Sequence, residues 1–63
     1  MAFKIREARN EQNMSQEELA KRSGVSRATL SGLESGKITV TTTETLRRIA
    51  NALGKKMSDI FFA

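Results

Sequence analysis

Cysteine and histidine are both missing from this chain of 63 residues. The first absence excludes disulfides and thiolate metal sites, and the second removes the commonest general base and metal ligand. Proline, tryptophan and tyrosine are missing too, which suits a plain helical domain. No apolar run is long enough to span a bilayer, and no signal-peptide pattern marks the first residues. The chain has no Pro-rich or Ser-rich linker, internal repeat or low-complexity tract. What is left fits one domain over residues 1–63 with a single modest core.

Acidic residues are few: Asp and Glu total 7 against 11 Lys and Arg, a formal net charge of +4. A basic balance on a small domain suggests a polyanionic partner, most often nucleic acid, although a solvated basic surface is the plainer alternative. Without His or Cys, and with its carboxylates spread over helix surfaces, the chain shows no nucleophile–base pair and no metal-ligand set. An enzyme is not expected, nor a cofactor, metal, membrane or small-molecule ligand; a cytoplasmic, nucleoid-associated location is.

The apolar periodicity and the capping residues predict an all-α bundle of five short helices. The first runs from about Ala2 to Gln12, marked by Phe3, Ile5 and Ala8, with Asn13 suited to a left-handed C-terminal position. The second begins after Ser15, which has capping-box spacing with Glu18, and Met14 is placed to staple onto Leu19 or Ala20. Gly24 ends it. The third begins after Ser26 and stops near Ser35 and Gly36. A Thr-rich loop leads into the fourth, capped by Thr41 or Thr42, with Leu46, Ile49, Ala50 and Leu53 at i, i+3, i+4 and i+7 and Gly54 at its end. A short fifth helix, capped by Ser58 or begun slightly earlier, carries Met57, Ile60 and Phe61.

The second and third helices carry the main signal. A small residue, Ala20, lets the two approach closely. Gly24 supplies a turn residue tolerant of positive φ. Val25, Leu30 and Leu33 face inward, and Ser23 fills one inward position where an aliphatic residue is more usual. Arg27, Ala28, Ser31 and Gly32 are left facing outward. This is the pattern of a helix-turn-helix, whose second helix enters the DNA major groove.

The segments SQEELAKRSGVSRATLSGLESGK, ETLRRIANALG and MSDIFF together resemble the phage-repressor and Cro type of helix-turn-helix domain, also called lambda-repressor-like or XRE family. The resemblance covers nearly the whole chain. It implies a compact five-helix bundle and a transcriptional regulator that binds double-stranded operator DNA as a homodimer. Phage or prophage repressor, restriction–modification controller and antitoxin-like autoregulator all fit this pattern.

The resemblance also implies roles for residues. Gln16, at the start of the second helix, is placed to bond a phosphate with help from backbone N–H groups. Arg27, Ala28, Ser31 and Gly32 fall at base-reading positions. Arg27 is suited to a bidentate contact with guanine, worth roughly 1–3 kcal/mol of discrimination, and Ala28 to a thymine methyl. Gly32 departs from the pattern by offering no side chain. Ser26, Thr29, Ser35, Lys37 and Arg9 are the remaining candidate phosphate contacts. Arg9 and Glu34 match an ion pair joining the first helix to the end of the third. Ile60, Phe61 and Phe62 form an apolar end, the candidate dimer contact. Arg47, Arg48, Lys55 and Lys56 are read as a solvated face. The alternative function is a protein-binding module that keeps the fold with weakened DNA contacts.

Overall fold

The computed structural model describes residues 3–61. Five helices follow one another: α1 (Ile5–Glu11), α2 (Gln16–Ser23), α3 (Arg27–Ser35), α4 (Thr43–Leu53) and α5 (Met57–Ile60). The all-α, five-helix expectation holds. The core is built from their inward residues: Ile5, Ala8, Met14, Leu19, Val25, Leu30, Leu33, Ile49, Ala50, Leu53 and Ile60. α2 packs on both α3 and α4, which places the turn at Gly24 between two supports.

Local side-chain chemistry sets most helix starts. The Ser15 hydroxyl accepts the Glu18 N–H at 3.0 Å, and the Ser26 hydroxyl accepts that of Thr29 at 3.1 Å. Thr42, not Thr41, caps α4, accepting the Thr45 N–H at 3.1 Å. Each bond satisfies one of the N–H groups that a helix start leaves unpaired. The ends follow the same logic: Gly24 and Gly54 close α2 and α4 at φ 73° and 66°, and Asn13 takes φ 53° after α1. Ser23 is buried, and its Oγ accepts the Val25 N–H at 3.2 Å, so a polar side chain at an inward position is satisfied by the turn it adjoins.

Several expected details are refined or come out differently. Helix α1 starts at Ile5, three residues later than the sequence pattern suggests. Phe3 instead forms an isolated antiparallel bridge with Phe61; their rings meet edge to face with centroids 5.0 Å apart, and the Lys4 N–H donates to the Ile60 carbonyl at 2.9 Å. At the other end of α1, Gln12 lies beyond the last turn, and its side-chain amide donates to the Leu53 carbonyl at 2.7 Å, tying α1 to the end of α4. The reciprocal arm of the Ser15 capping box is diverted: the Glu18 carboxylate accepts from Arg22 Nε at 2.7 Å, an i,i+4 partner. α5 takes the slightly earlier start, at Met57 and not after a Ser58 cap, and the Asp59 carboxylate accepts the Lys56 N–H at 3.1 Å. Leu46 is half-buried and stands outside the buried core that Ile49, Ala50 and Leu53 share.

Candidate nucleic-acid interface

The outer surface of α3 is set by what its other residues are doing. Leu30 and Leu33 are buried, which turns the opposite side outward. Arg27, Ala28, Ser31 and Ser35 are exposed. At about 100° per residue these four lie within one arc of about 100° on the helix surface. Arg27 opens the helix directly after the Ser26 cap, so its long side chain leaves from the first turn, the part of a recognition helix that meets base edges.

Gly32 does not belong to that surface. It is buried. A Cβ built on it would sit 2.5 Å from Ile38 Cδ1 and 2.6 Å from Ile38 Cγ1. The loop after α3 turns back over the helix, and the Ile38 N–H donates to the Gly32 carbonyl at 3.0 Å. Glycine at 32 therefore makes room for the loop, and the expectation that position 32 stands open to a base is corrected.

The back of α3 is held by charge. The Glu34 carboxylate accepts from Arg9 twice, at 2.8 Å from Nε and 2.8 Å from Nη2, and from Arg6 Nε at 3.3 Å. Gln16 adds a further side-chain hydrogen bond. Glu34 has a side-chain exposure of 0% and Arg9 of 12%, while Arg6 keeps 60%. Burial alone would push the Glu34 carboxyl up, but the hydrogen bonds and charge of Arg9, with the bonds from Arg6 and Gln16, hold it below its ordinary value. Arg9 is raised in turn, chiefly by its hydrogen bond to Glu34.

The Arg9–Glu34 ion pair lies within this cluster, which also shows how the neighbouring candidate residues are engaged. Arg9 also donates through Nη1 to the Met14 carbonyl at 2.9 Å, so all three of its guanidinium nitrogens bond within the chain and it braces α1 against α3. Arg6, overlooked in the sequence pattern, is the exposed cation of the cluster. Gln16 stands half-buried at the start of α2 with its amide drawn toward Glu34. The signal that could have found Arg6 is its spacing: it sits three residues before Arg9, on the same face of α1.

The other polar candidates fall into two groups. Ser26 and Thr29 are engaged with each other: besides the cap bond, the Ser26 hydroxyl donates to Thr29 Oγ1 at 2.9 Å. Ser35 fastens the end of α3, donating to the Gly32 carbonyl at 3.3 Å and accepting the Lys37 N–H at 3.4 Å. The Lys37 residue itself is exposed just beyond Gly36. From α4, Arg48 reaches back over the turn, its Nη1 3.8 Å from where a Cβ on Gly24 would lie. Its position refines the reading of that helix's cations as a distant solvated face. Lys55 bonds Glu11 at 2.9 Å across the end of α1.

The candidate dimer residues separate. Ile60 has no exposed surface and belongs to the core of one chain, so it is withdrawn from the dimer surface. Phe61 is half-buried against Phe3. Phe62 lies outside the described residues. Among the described residues, the exposed large hydrophobic is Val40, in the loop between α3 and α4, at 85% exposure. No group of three or more acidic residues that could hold a metal ion occurs among them, and no described helix is long and apolar enough to cross a membrane.

Comparison with known proteins matches this arrangement. The helix-turn-helix family model covers residues 5–60. An uncharacterized HTH-type transcriptional regulator of Archaeoglobus fulgidus is 44% identical over 61 residues, covering 97% of this chain and 84% of the relative. A second uncharacterized HTH-type transcriptional regulator, from Methanothermobacter thermautotrophicus, is 47% identical over 58 residues, covering 90% of this chain and 83% of the relative. With its paired helices, Gly24 turn and outward α3 face all inside the matched region, the chain belongs to the XRE-type helix-turn-helix family.

Proposed function

We propose that this chain is a sequence-specific, DNA-binding transcriptional regulator that reads a near-palindromic operator as a homodimer, in the manner of a phage repressor or a restriction–modification controller. The observation that carries this reading is the division of α3 into a sealed back and an open front. Leu30, Leu33 and Glu34 fix the helix to the rest of the domain, while Arg27, Ala28 and Ser31 stand outward as a narrow reading surface. The relatives, named as transcriptional regulators, support the same role.

Arg27 is the long polar side chain of that surface and is assigned to a guanine, with Ala28 against a thymine methyl. Lys37, Arg6 and the start of α2 at Gln16 are assigned to phosphates, where they fix register without reading sequence. Two copies related by a dyad would set their α3 helices one DNA turn apart, ~34 Å. With Ile60 buried, the dimer contact is assigned to the half-exposed Phe3–Phe61 end of the chain.

Selection of bound duplexes from a random pool tests the reading directly. It should return an enriched half-site repeated with inverted symmetry. Binding to the enriched duplex should weaken with salt at a log–log slope of roughly −0.9 per phosphate contact. Arg27→Ala should relax preference at one position by roughly 1–3 kcal/mol and leave the fold intact. A pool that yields no enriched sequence, or binding indifferent to salt, would end this reading.

A further inference from the structure

The contact between Gly32 and Ile38 changes what the reading surface is made of. Position 32 is one turn after Ala28 on the same side of α3. Glycine leaves that place without a side chain, and the end of the Ile38 side chain occupies the volume in which one would begin. Ile38 is held there by its N–H bond to the Gly32 carbonyl. It is only half-buried: one side packs on the core, and the remainder stays at the surface. Ile38 thus fills the place, one turn after Ala28, where a side chain at position 32 would begin. The apolar feature that a major groove presents is the C5-methyl of thymine.

We propose that Ile38, a loop residue, is a specificity-determining residue that reads a thymine methyl from beside α3, in the place of the side chain missing at Gly32. The inference rests on the DNA-binding reading above. It goes beyond it in moving part of the base readout off the recognition helix and into the loop that follows. The competing role for Ile38 is purely structural, closing the core under the loop. That role affects stability but gives no reason for binding to depend on a methyl group in the DNA.

The test uses the duplex enriched from the random pool by the full chain, together with copies in which single thymines are replaced by deoxyuridine, which lacks the methyl. Besides any thymine read by Ala28, one position in each half-site should lose about four-fold in affinity on this replacement, the value of one buried methyl-sized group. Ile38→Ala should bind the thymine duplex more weakly by a similar factor and be indifferent to uridine at that position. Ile38→Val, which keeps the β-branch and most of the packing, should show a reduced uridine effect while melting close to the parent. Should Ile38→Ala fail to fold, the Val variant decides. If the parent is indifferent to every uridine, or if the uridine effects survive unchanged in the Ile38 variants while sequence-selective binding persists, the inference is overturned and the DNA-binding reading stands. If the parent binds no duplex selectively, both fall together.

Discussion

Glu34 and Glu44 have the same kind of company and different surroundings. Glu34 accepts from Arg9 and Arg6, and Glu44 from Arg47 and Arg48. Both carboxyls are held below their ordinary value. For Glu34 the arginine bonds and charge do so against burial; for Glu44 the side-chain hydrogen bonds of Arg47 and then Arg48 are the leading causes. Yet Glu34 has no exposed side-chain surface and joins α3 to residues 25 and 28 positions earlier in the chain. Glu44 is half-exposed, and its partners lie three and four residues along its own helix. The first pair fixes where one helix sits relative to another. The second decorates a helix that forms without it. Burial and sequence separation, not the number of arginines, decide what a carboxylate does for this fold.

The sharpest way to break the comparison is to remove Glu34. Glu34→Ala leaves the guanidinium of Arg9 at the α1–α3 junction with 12% exposure and no counter-charge. Losing one partner of a buried pair typically costs about 3–5 kcal/mol. Here Arg9 keeps 12% exposure and Arg6 60%, so water can reach the vacated place in part, and about 2–3 kcal/mol is expected. Domains of this size have only roughly 3–9 kcal/mol in all. Urea unfolding should therefore show the midpoint falling by a large fraction, and a loss under 0.5 kcal/mol would contradict the assignment. Glu34→Ala should also weaken DNA binding even where it stays folded, because Gln16 and Arg6 lose the group that orients them.

Acid provides a second, smaller separation. Glu34 has a folded value below its ordinary 4.5, so the unfolded chain binds more protons than the folded one in that range. Stability is then fully present above about pH 4.5 and is lost as pH falls through the folded value. The unfolding free energy of the parent should decline from pH 5 downward, and Glu34→Gln should flatten that decline. Glu44 titrates in the same direction, but its exposure leaves the charge screened by solvent, and Glu44→Gln should leave the acid limb nearly unchanged. A parent whose stability is level from pH 5 to pH 3 would contradict the Glu34 assignment.

These two sites also show what was readable in the sequence. Caps act over three residues, so Ser15, Ser26 and the Thr-rich start of α4 were visible as local spacings. Gly24 and Asn13 announced left-handed turns for the same reason. Arg9 with Glu34 was visible through family resemblance, since no local rule links positions 25 apart. Arg6 was missed because its bond depends on α1 and α3 packing together. Gly32 was misplaced because its neighbour, Ile38, lies on a loop whose path no helical wheel contains. Phe3 followed the helical pattern on paper but left it for a pairing with Phe61 across almost the whole chain. Where local rules compete, as at Glu18, the i,i+4 arginine took the carboxylate from the capping box.

Arg6 tests whether a second arginine on the sealed carboxylate behaves like its neighbour or like a surface ion. It bonds Glu34 at 3.3 Å, longer than either Arg9 contact, and is 60% exposed. Arg6→Ala should cost roughly 0.5 kcal/mol or less in urea unfolding, within the range of exposed pairs. On DNA the same variant should lower the salt slope by about 0.9, the value of one phosphate contact. Loss of stability comparable to Glu34→Ala would place Arg6 inside the structural pair.

Glu44→Ala is expected to be the mildest change, for reasons its position supplies. The residue lies in the first turn of α4, just after the Thr42 cap, where a negative charge complements the helix dipole. Its two arginine bonds are exposed and local, so solvent and salt screen them and side-chain entropy opposes them. Thr42 continues to cap the helix through Thr45, and Ile49, Ala50 and Leu53 continue to anchor it. The melting midpoint should shift by at most about 3 °C, and even that shift should shrink in 0.5 M salt as screening shortens to about 4 Å. The DNA arm of the experiment runs the other way. Arg48 lies over the Gly24 turn, and losing Glu44 releases it from its counter-charge. A modest salt-dependent gain in affinity, equal across sequences, should follow. If Glu44→Ala instead destabilised the chain as much as Glu34→Ala, burial would not be what separates the two carboxylates.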